Sequence, residues 1–179
     1  PYDWLIAALP SPQAADLLVD APTLRSEALA CPMVACWALM MRFDAPLPVS
    51  FDAAFVAGSS LTWIARNDSK PGRHPSACWV LHAAREWSDV RCEQTPEAVV
   101  APMLAEFARV LGRAVSPATA QAHRWRYSGP VGKAEVPCLV DLTRRAGACG
   151  DWLAGARVEG AFQSAVALAE RMISAGAPG

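Results

Sequence analysis

The sequence predicts an α/β protein with α+β character: a mixed or antiparallel sheet covered by helices, opened by a strand–helix unit and closed by a strand–loop–helix unit. Three observations predict it. Tyr2 to Leu9 is short, apolar and stopped by Pro10, so it reads as a buried strand feeding directly into a helix. Between Met33 and Ala83, four more strand-like segments follow one another with short connections. After Thr95, a single apolar stripe recurs at helical spacing.

Each element has its own local reason. Ser11-Pro12 looks like an N-cap followed by proline at the first helical position, opening a helix over Gln13 to Val19. Pro22 to Ala30 reads as a second short helix. Met33 to Phe43, Phe51 to Ala57, Leu61 to Arg66 and Ala77 to Ala83 are the four strands, with a turn-rich Asn67 to Arg73 before the last. Thr95-Pro96-Glu97 starts a helix whose stripe is Val100, Met103, Leu104, Phe107, Val110 and Leu111, and Gly112 suits its left-handed cap. Ala122 to Tyr127 alternates, placing His123, Trp125 and Tyr127 on one face and Arg124 and Arg126 on the other. Pro137 to Leu142 and Ala146 to Cys149 form two strands about a turn at Arg144-Arg145. A final helix runs from Val158 to Ala175.

Composition bounds the function. Of 179 residues, 53% are hydrophobic and 18% charged, which supplies a core and excludes disorder. A net charge of −1 gives no basic surface for nucleic acid, and no apolar run is long enough to span a bilayer. No secretory signal opens the chain, and a first residue Pro1 reads as a cut from something longer. The six cysteines lack paired metal-ligand spacing, and the three histidines are far apart in sequence. They are expected to be reduced residues of a cytoplasmic protein, with no metal.

The stretch from Gly150-Asp151 through Gly155 to Val158-Glu159-Gly160-Ala161 carries the most chemistry. A strand ends, a glycine loop follows, and a helix begins whose first N–H groups form a site for an anion or a ring oxygen. Glycines there let backbone approach a ligand, or serve only as caps of an ordinary strand–loop–helix. Glu159 reads equally as a first-turn acid favoured by the helix dipole. No Gly-x-Gly occurs among the eleven glycines, so the chain cannot build a whole dinucleotide cradle by itself.

These residues carry a resemblance. Gly150-Asp151 through Val158 to Ala161 resembles the C-terminal flavin motif of the flavin-containing amine oxidase superfamily. More narrowly, Trp63 to Asn67 with Ser69 to Arg73, then Trp79 to Ala83, then His123 to Tyr127 resemble bacterial renalase-like NAD/FAD-dependent oxidoreductases, in the same order. The resemblance implies three segments. Residues 1–20 would be the last strand–helix unit of a Rossmann-type FAD domain, 21–135 a substrate-binding domain, and 136–179 the returning FAD segment. The glycine-loop part of that domain is not in this sequence.

It also implies roles. Gly150 and Asp151 would face the ribityl–phosphate part of non-covalent FAD. Arg157, Val158, Glu159, Gly160 and Ala161 would bring backbone donors to the ring's pyrimidine end. His82 and Trp125 would lie on the substrate side, with Arg66 and Asn67 at a strand end touching polar groups of a small-molecule substrate. Without the resemblance, a lone histidine such as His82 in an apolar strand is more often a satisfied core residue, and Asn67 is equally a turn residue. Arg124 and Arg126 then either bind an anion or, more commonly, form a solvated or ion-paired sheet face. Only Lys70 and Lys133 occur, and neither sits in a clearly buried strand, which argues modestly against amine oxidation. The implied activity is hydride transfer from reduced nicotinamide dinucleotides to FAD, with dioxygen as acceptor. Flavin amine oxidation and a module without cofactor are the alternatives.

Overall fold

The computed structural model describes residues 2–132 and 136–176, so Lys133 lies outside the described residues. The chain forms two compact units. One comprises Pro1–Val34 with Tyr127–Gly179, and the other Ala35–Arg126.

The central unit is built on a five-stranded sheet of β2 (Met33–Arg42), β3 (Ala53–Phe55), β4 (Leu61–Arg66), β5 (Cys78–Ala83) and β6 (Thr119–Pro130), in the order β3-β4-β5-β2-β6. The pairs β3–β4, β4–β5 and β5–β2 are antiparallel. Helix α4 (Pro96–Leu111) begins as its sequence dictates, with the Thr95 side chain accepting a hydrogen bond from the Ala98 N–H and Gly112 left-handed at φ 64°. Its buried side chains are Val99, Met103 and Phe107. They join Trp37, Leu39, Met41, Leu61, Ile64, Trp79 and Leu81 in one cluster. Phe107 and Phe51 both contact the Trp79 ring, at centroid distances of 5.5 and 5.9 Å.

Helix α3 (Arg85–Val90) was not foreseen from sequence. It has no side-chain cap and spans six residues, too few for a recognisable apolar stripe. Its Ser88 hydroxyl accepts from the Trp37 N–H, and Asp89 accepts from the Ala35 N–H, which ties the start of β2 to it. Arg124 and Arg126 form the ion-paired face that alternation allowed: both pair with Glu93, and Arg124 also donates to the Cys92 carbonyl.

The terminal unit holds a three-stranded sheet of β1 (Leu5–Ala7), β8 (Ala146–Ala148) and β7 (Leu139–Asp141). Strands β1 and β8 are parallel, β7 and β8 antiparallel. Helices α1 (Ser11–Leu17) and α2 (Pro22–Leu29) pack through Ala14, Ala15, Leu18, Leu24 and Ala28 onto this sheet, and α5 (Val158–Ser174) places Leu168 against Cys138 and Cys149. Ser11 does not cap α1 as expected. Pro10 occupies the cap, and the buried Ser11 hydroxyl donates instead to the Cys31 carbonyl at the end of α2. All six cysteines are free thiols, Cys138 and Cys149 buried and the other four half-buried.

One polar clasp joins α4 to the β3–β4 turn. Glu106 accepts from the Ser59 hydroxyl, the Ser60 N–H and the Arg109 guanidinium. These donors, Arg109 first and Ser59 second, pull its pKa from 4.5 to about 2. A carboxyl lowered on folding contributes stability that is present above pH 4.5 and lost as pH falls toward 2. Urea midpoints measured across that window will fall with pH in the wild type and fall less in Glu106→Gln, which lacks the titrating group.

Candidate functional site

Because α4 covers one face of the central sheet, period-two alternation leaves a second, open face. Along β5, Trp79 and Leu81 point to the core while Cys78, Val80 and His82 are only half-buried. Directly opposite residues share a face, so Ala38 and Trp63 flank His82, Met40 flanks Val80, and Arg42 flanks Cys78. A register shift between Leu61 and Trp63 brings Trp63 opposite His82. Phe55 pairs with Trp63 across β3, with ring centroids 4.7 Å apart, and is 88% exposed. On β6, Trp125 is 57% exposed and meets His123 edge-on at 4.4 Å.

His82 is thus neither solvated nor core. Its burial first, and then the positive charge of Lys70, hold its pKa below the ordinary 6.5, so it is neutral at pH 7. Lys70 is a residue whose importance sequence reasoning missed. It lies outside any strand, yet its charge reaches His82, and its Nζ donates to Asn67 Oδ1 at 2.9 Å. Asn67 begins the short 3-10 turn after β4, as a turn residue would. Arg66 is drawn into an ion pair with Asp52 at 2.5 Å, and its own carbonyl accepts from the Ser69 hydroxyl. Its guanidinium serves the strand end rather than the middle of the open face.

In the terminal unit, the turn from β8 into α5 is open. Residues 155–159 are exposed, and Val158 is 92% exposed. Arg157 stands at the N-cap without any side-chain cap, so the Val158, Glu159 and Gly160 N–H groups are free of the usual partner. The Ala161 N–H is already engaged, donating to the Arg157 carbonyl at 3.0 Å. Glu159 accepts a bond from Gln163 at 3.4 Å and remains at the exposed first turn. Asp151 begins a short 3-10 turn whose carbonyl accepts from the Ala154 and Ala156 N–H groups.

The glycines have a reason the sequence did not show. A Cβ on Gly160 would lie 2.1 Å from the Ala154 carbonyl oxygen, and one on Gly150 would lie 2.6 Å from the Trp152 indole nitrogen. Both glycines answer close internal packing. The indole itself is buried and donates to the Leu9 carbonyl at 2.9 Å. Ser164, fully buried, accepts from the Gly150 N–H at 3.0 Å and donates to the Pro137 carbonyl at 2.6 Å. These bonds hold the turn while Trp152 and Leu153 face inward and residues 155–159 stay exposed. Beyond the turn, Val158, Phe162 and Val166 recur every four residues as an exposed apolar stripe on α5.

Among the described residues, no group of three or more potential metal ligands is present, and no helix is long and apolar enough to cross a membrane. No family model matches the sequence. Two solved structures share its fold. A putative protoporphyrinogen oxidase from Exiguobacterium sp. 255-15 superposes with a TM-score of 0.73 at 17% identity, covering 96% of this chain and 41% of that one. Cyclohexylamine oxidase from Brevibacterium oxydans IH-35A gives a TM-score of 0.58, also at 17% identity, covering 94% of this chain and 43% of that one. The likeness shows the fold, and the chain spans about two-fifths of the length of either structure.

Two outcomes test this geometry. Gly160→Ala will destabilise the protein by about 1–3 kcal/mol in urea unfolding, as overpacking does, whereas Gly129→Ala, with nothing near its Cβ, will change stability little. Lys70→Gln will raise the His82 pKa, followed by proton NMR of the imidazole, but not restore the full 6.5, because burial remains the larger cause.

Proposed function

We propose that the chain is the C-terminal part of an FAD-dependent oxidoreductase. In this reading the open face of the central sheet is the substrate wall, and the β8–α5 turn seats the ring end of the flavin. The observation that carries it is the uncapped, exposed start of α5, where no side chain caps the first N–H groups and Val158 and Glu159 are exposed. A polar rim of donors with an apolar neighbour suits the pyrimidine edge of a flat ring. The names of the two similar structures, both oxidases, support the same class.

Bound there, FAD would supply the two-electron chemistry, taking a hydride from the substrate and passing the electrons to dioxygen. The chain's own residues do the rest. The α5 N–H groups and helix dipole favour negative charge at the ring edge, which eases reduction. Gly150 and Asp151, at the start of the turn, would hold the ribityl–phosphate portion. On the substrate wall, Phe55, Trp63 and Trp125 offer flat apolar contact, and neutral His82 can donate or accept one hydrogen bond without carrying charge. Asn67 borders this wall just past the end of β4, whereas Arg66, opposite the core residue Trp79, lies on the covered side and pairs with Asp52.

Reduced nicotinamide dinucleotides suit the wall better than amines. Hydride transfer from a dihydronicotinamide needs orientation and no acid–base dyad, and the positive charge of Lys70 helps keep His82 neutral. The thiols, with no disulfide among the six, support a reducing, cytoplasmic setting.

The test is spectroscopic. The full-length protein will purify yellow, and its visible flavin band will bleach when NADH, NADPH or their isomers are mixed in without oxygen, and return on admitting air. Bleaching by amines alone would replace the nicotinamide reading with amine oxidation. A folded but colourless protein would make the chain a module without cofactor.

A further inference from the structure

A hollow of about 700 Å³ lies at one end of the open sheet face in the central unit. Met40 and Val80 give it an apolar floor, and Arg42, Arg73, Asn67 and Gln121 bring polar groups around it. Its two guanidinium groups are poorly neutralised. Arg42 has one loose ion pair, 3.7 Å to an Asp44 that is itself 87% exposed. Among the described residues, no ion pair involves Arg73. No carboxylate lines the hollow. The loop that carries Arg73 is not loose at its base, because Asp68 accepts from the Ser76 and Ala77 N–H groups and folds it back toward β5.

Register supplies a ruler. Arg42 is opposite Cys78 and Ala38 is opposite His82, all on one face, so the hollow's cationic end and His82 are separated by four residues of strand. At about 3.4 Å per residue that is roughly 14 Å. Between them the face is apolar, with Met40 opposite Val80. A ligand fitting this track has an aromatic or apolar body and one anionic group far from the part that reaches His82. Guanidinium pairs bind carboxylate and phosphate oxygens through charge-assisted hydrogen bonds.

We propose that Arg42 and Arg73, with Asn67 and Gln121, form an anion subsite that anchors the distal carboxylate or phosphate of an elongated, flat substrate whose other end lies at His82. The proposal rests on the reading of the open face as the substrate wall. It goes beyond that reading in fixing the substrate's charge, its length and the end at which it is held.

The test separates the subsite from the redox function by using binding alone. Four probes of one shape are titrated into the full-length protein: a biphenyl carboxylate, a biphenyl phosphate, the neutral biphenyl methanol and the cationic biphenyl methylamine. The readout is tryptophan fluorescence, since Trp63 and Trp125 lie on this face. The carboxylate or the phosphate will bind about tenfold or more tightly than the alcohol, as expected for a charge-assisted bond, and the amine more weakly than the alcohol. Whichever anion binds tighter names the source of the charge. Arg42→Gln and Arg73→Gln will each remove most of that preference while leaving the alcohol's affinity unchanged. Both residues are exposed, so neither replacement should disturb folding, and near-ultraviolet circular dichroism checks this. Equal affinity for all four probes, no binding of any, or an anion preference that survives both replacements overturns the subsite. Arginine-dependent anion binding by a protein that holds no flavin would keep the subsite and overturn the oxidoreductase.

Discussion

Helix α4 lays Val99, Met103 and Phe107 into one cluster with Trp37, Leu39, Trp79 and Leu81, and that apolar contact decides the register of the central sheet. In a strand, neighbours point to opposite faces, so a slip by one residue would exchange the buried and the open sets. It would turn Leu39, Met41, Trp79 and Leu81 outward and carry Ala38, Met40, Val80 and His82 into the core. Four large apolar side chains at roughly 1.5–3 kcal/mol each amount to something on the order of 10 kcal/mol. That matches the whole stability of an ordinary domain, about 5–15 kcal/mol. Placement of His82, Trp63 and Arg42 on one face is therefore a consequence of packing on the other.

The terminal unit solves a different problem. A turn that is to receive a ligand must keep its own side chains out of the way yet leave no buried polar group unpaired. Here the bulky residue, Trp152, is folded under the turn with its indole N–H on the Leu9 carbonyl. Ser164 takes the Gly150 N–H and gives its own proton to the Pro137 carbonyl, so one hydroxyl satisfies two segments. Gly160 lets the first turn of α5 sit hard against Ala154. What remains outward is the uncapped start of α5 with the side chains of Arg157, Val158 and Glu159.

Elements with long or strongly periodic patterns were legible from sequence. β4 and α5 lie within a residue of their expected bounds, and α4 begins at its Thr95 cap. β1 shrank to Leu5–Ala7, because an apolar run marks burial and does not say how far a ladder extends. Helix α3 was invisible since its hydrogen bonds to β2 come from Ser88 and Asp89, partners that no local pattern announces. The same limit applies to the site. Alternation placed His123 and Trp125 together correctly, and it would have placed Trp63 beside His82 had the register shift been known. The glycines at 150 and 160 looked like openings for a ligand, but their neighbours are Trp152 and the Ala154 carbonyl, which only tertiary contact reveals. Lys70 and Arg73 enter the sequence reading only through a lysine count and a resemblance, because they lie in a turn, and a turn's direction is set by bonds such as Asp68 to Ser76 and Ala77.

Charge, more than shape, decides among the substrates such a face would admit. Flat aromatic walls accept many bodies, since stacking and apolar contact are tolerant of detail. Cations are less tolerant. At an effective dielectric of about 20, two unit charges some 7 Å apart interact by roughly 2 kcal/mol, more than tenfold in affinity. An incoming ammonium group would meet Arg42 and Arg73 at the hollow, where Lys70 also holds Asn67, without a lining carboxylate to offset them. An anion at the arginine end gains from the same field while leaving the neutral imidazole free to touch the other end. The scarcity of lysine in the sequence and the lone cations of this face thus argue in the same direction, against a cationic substrate.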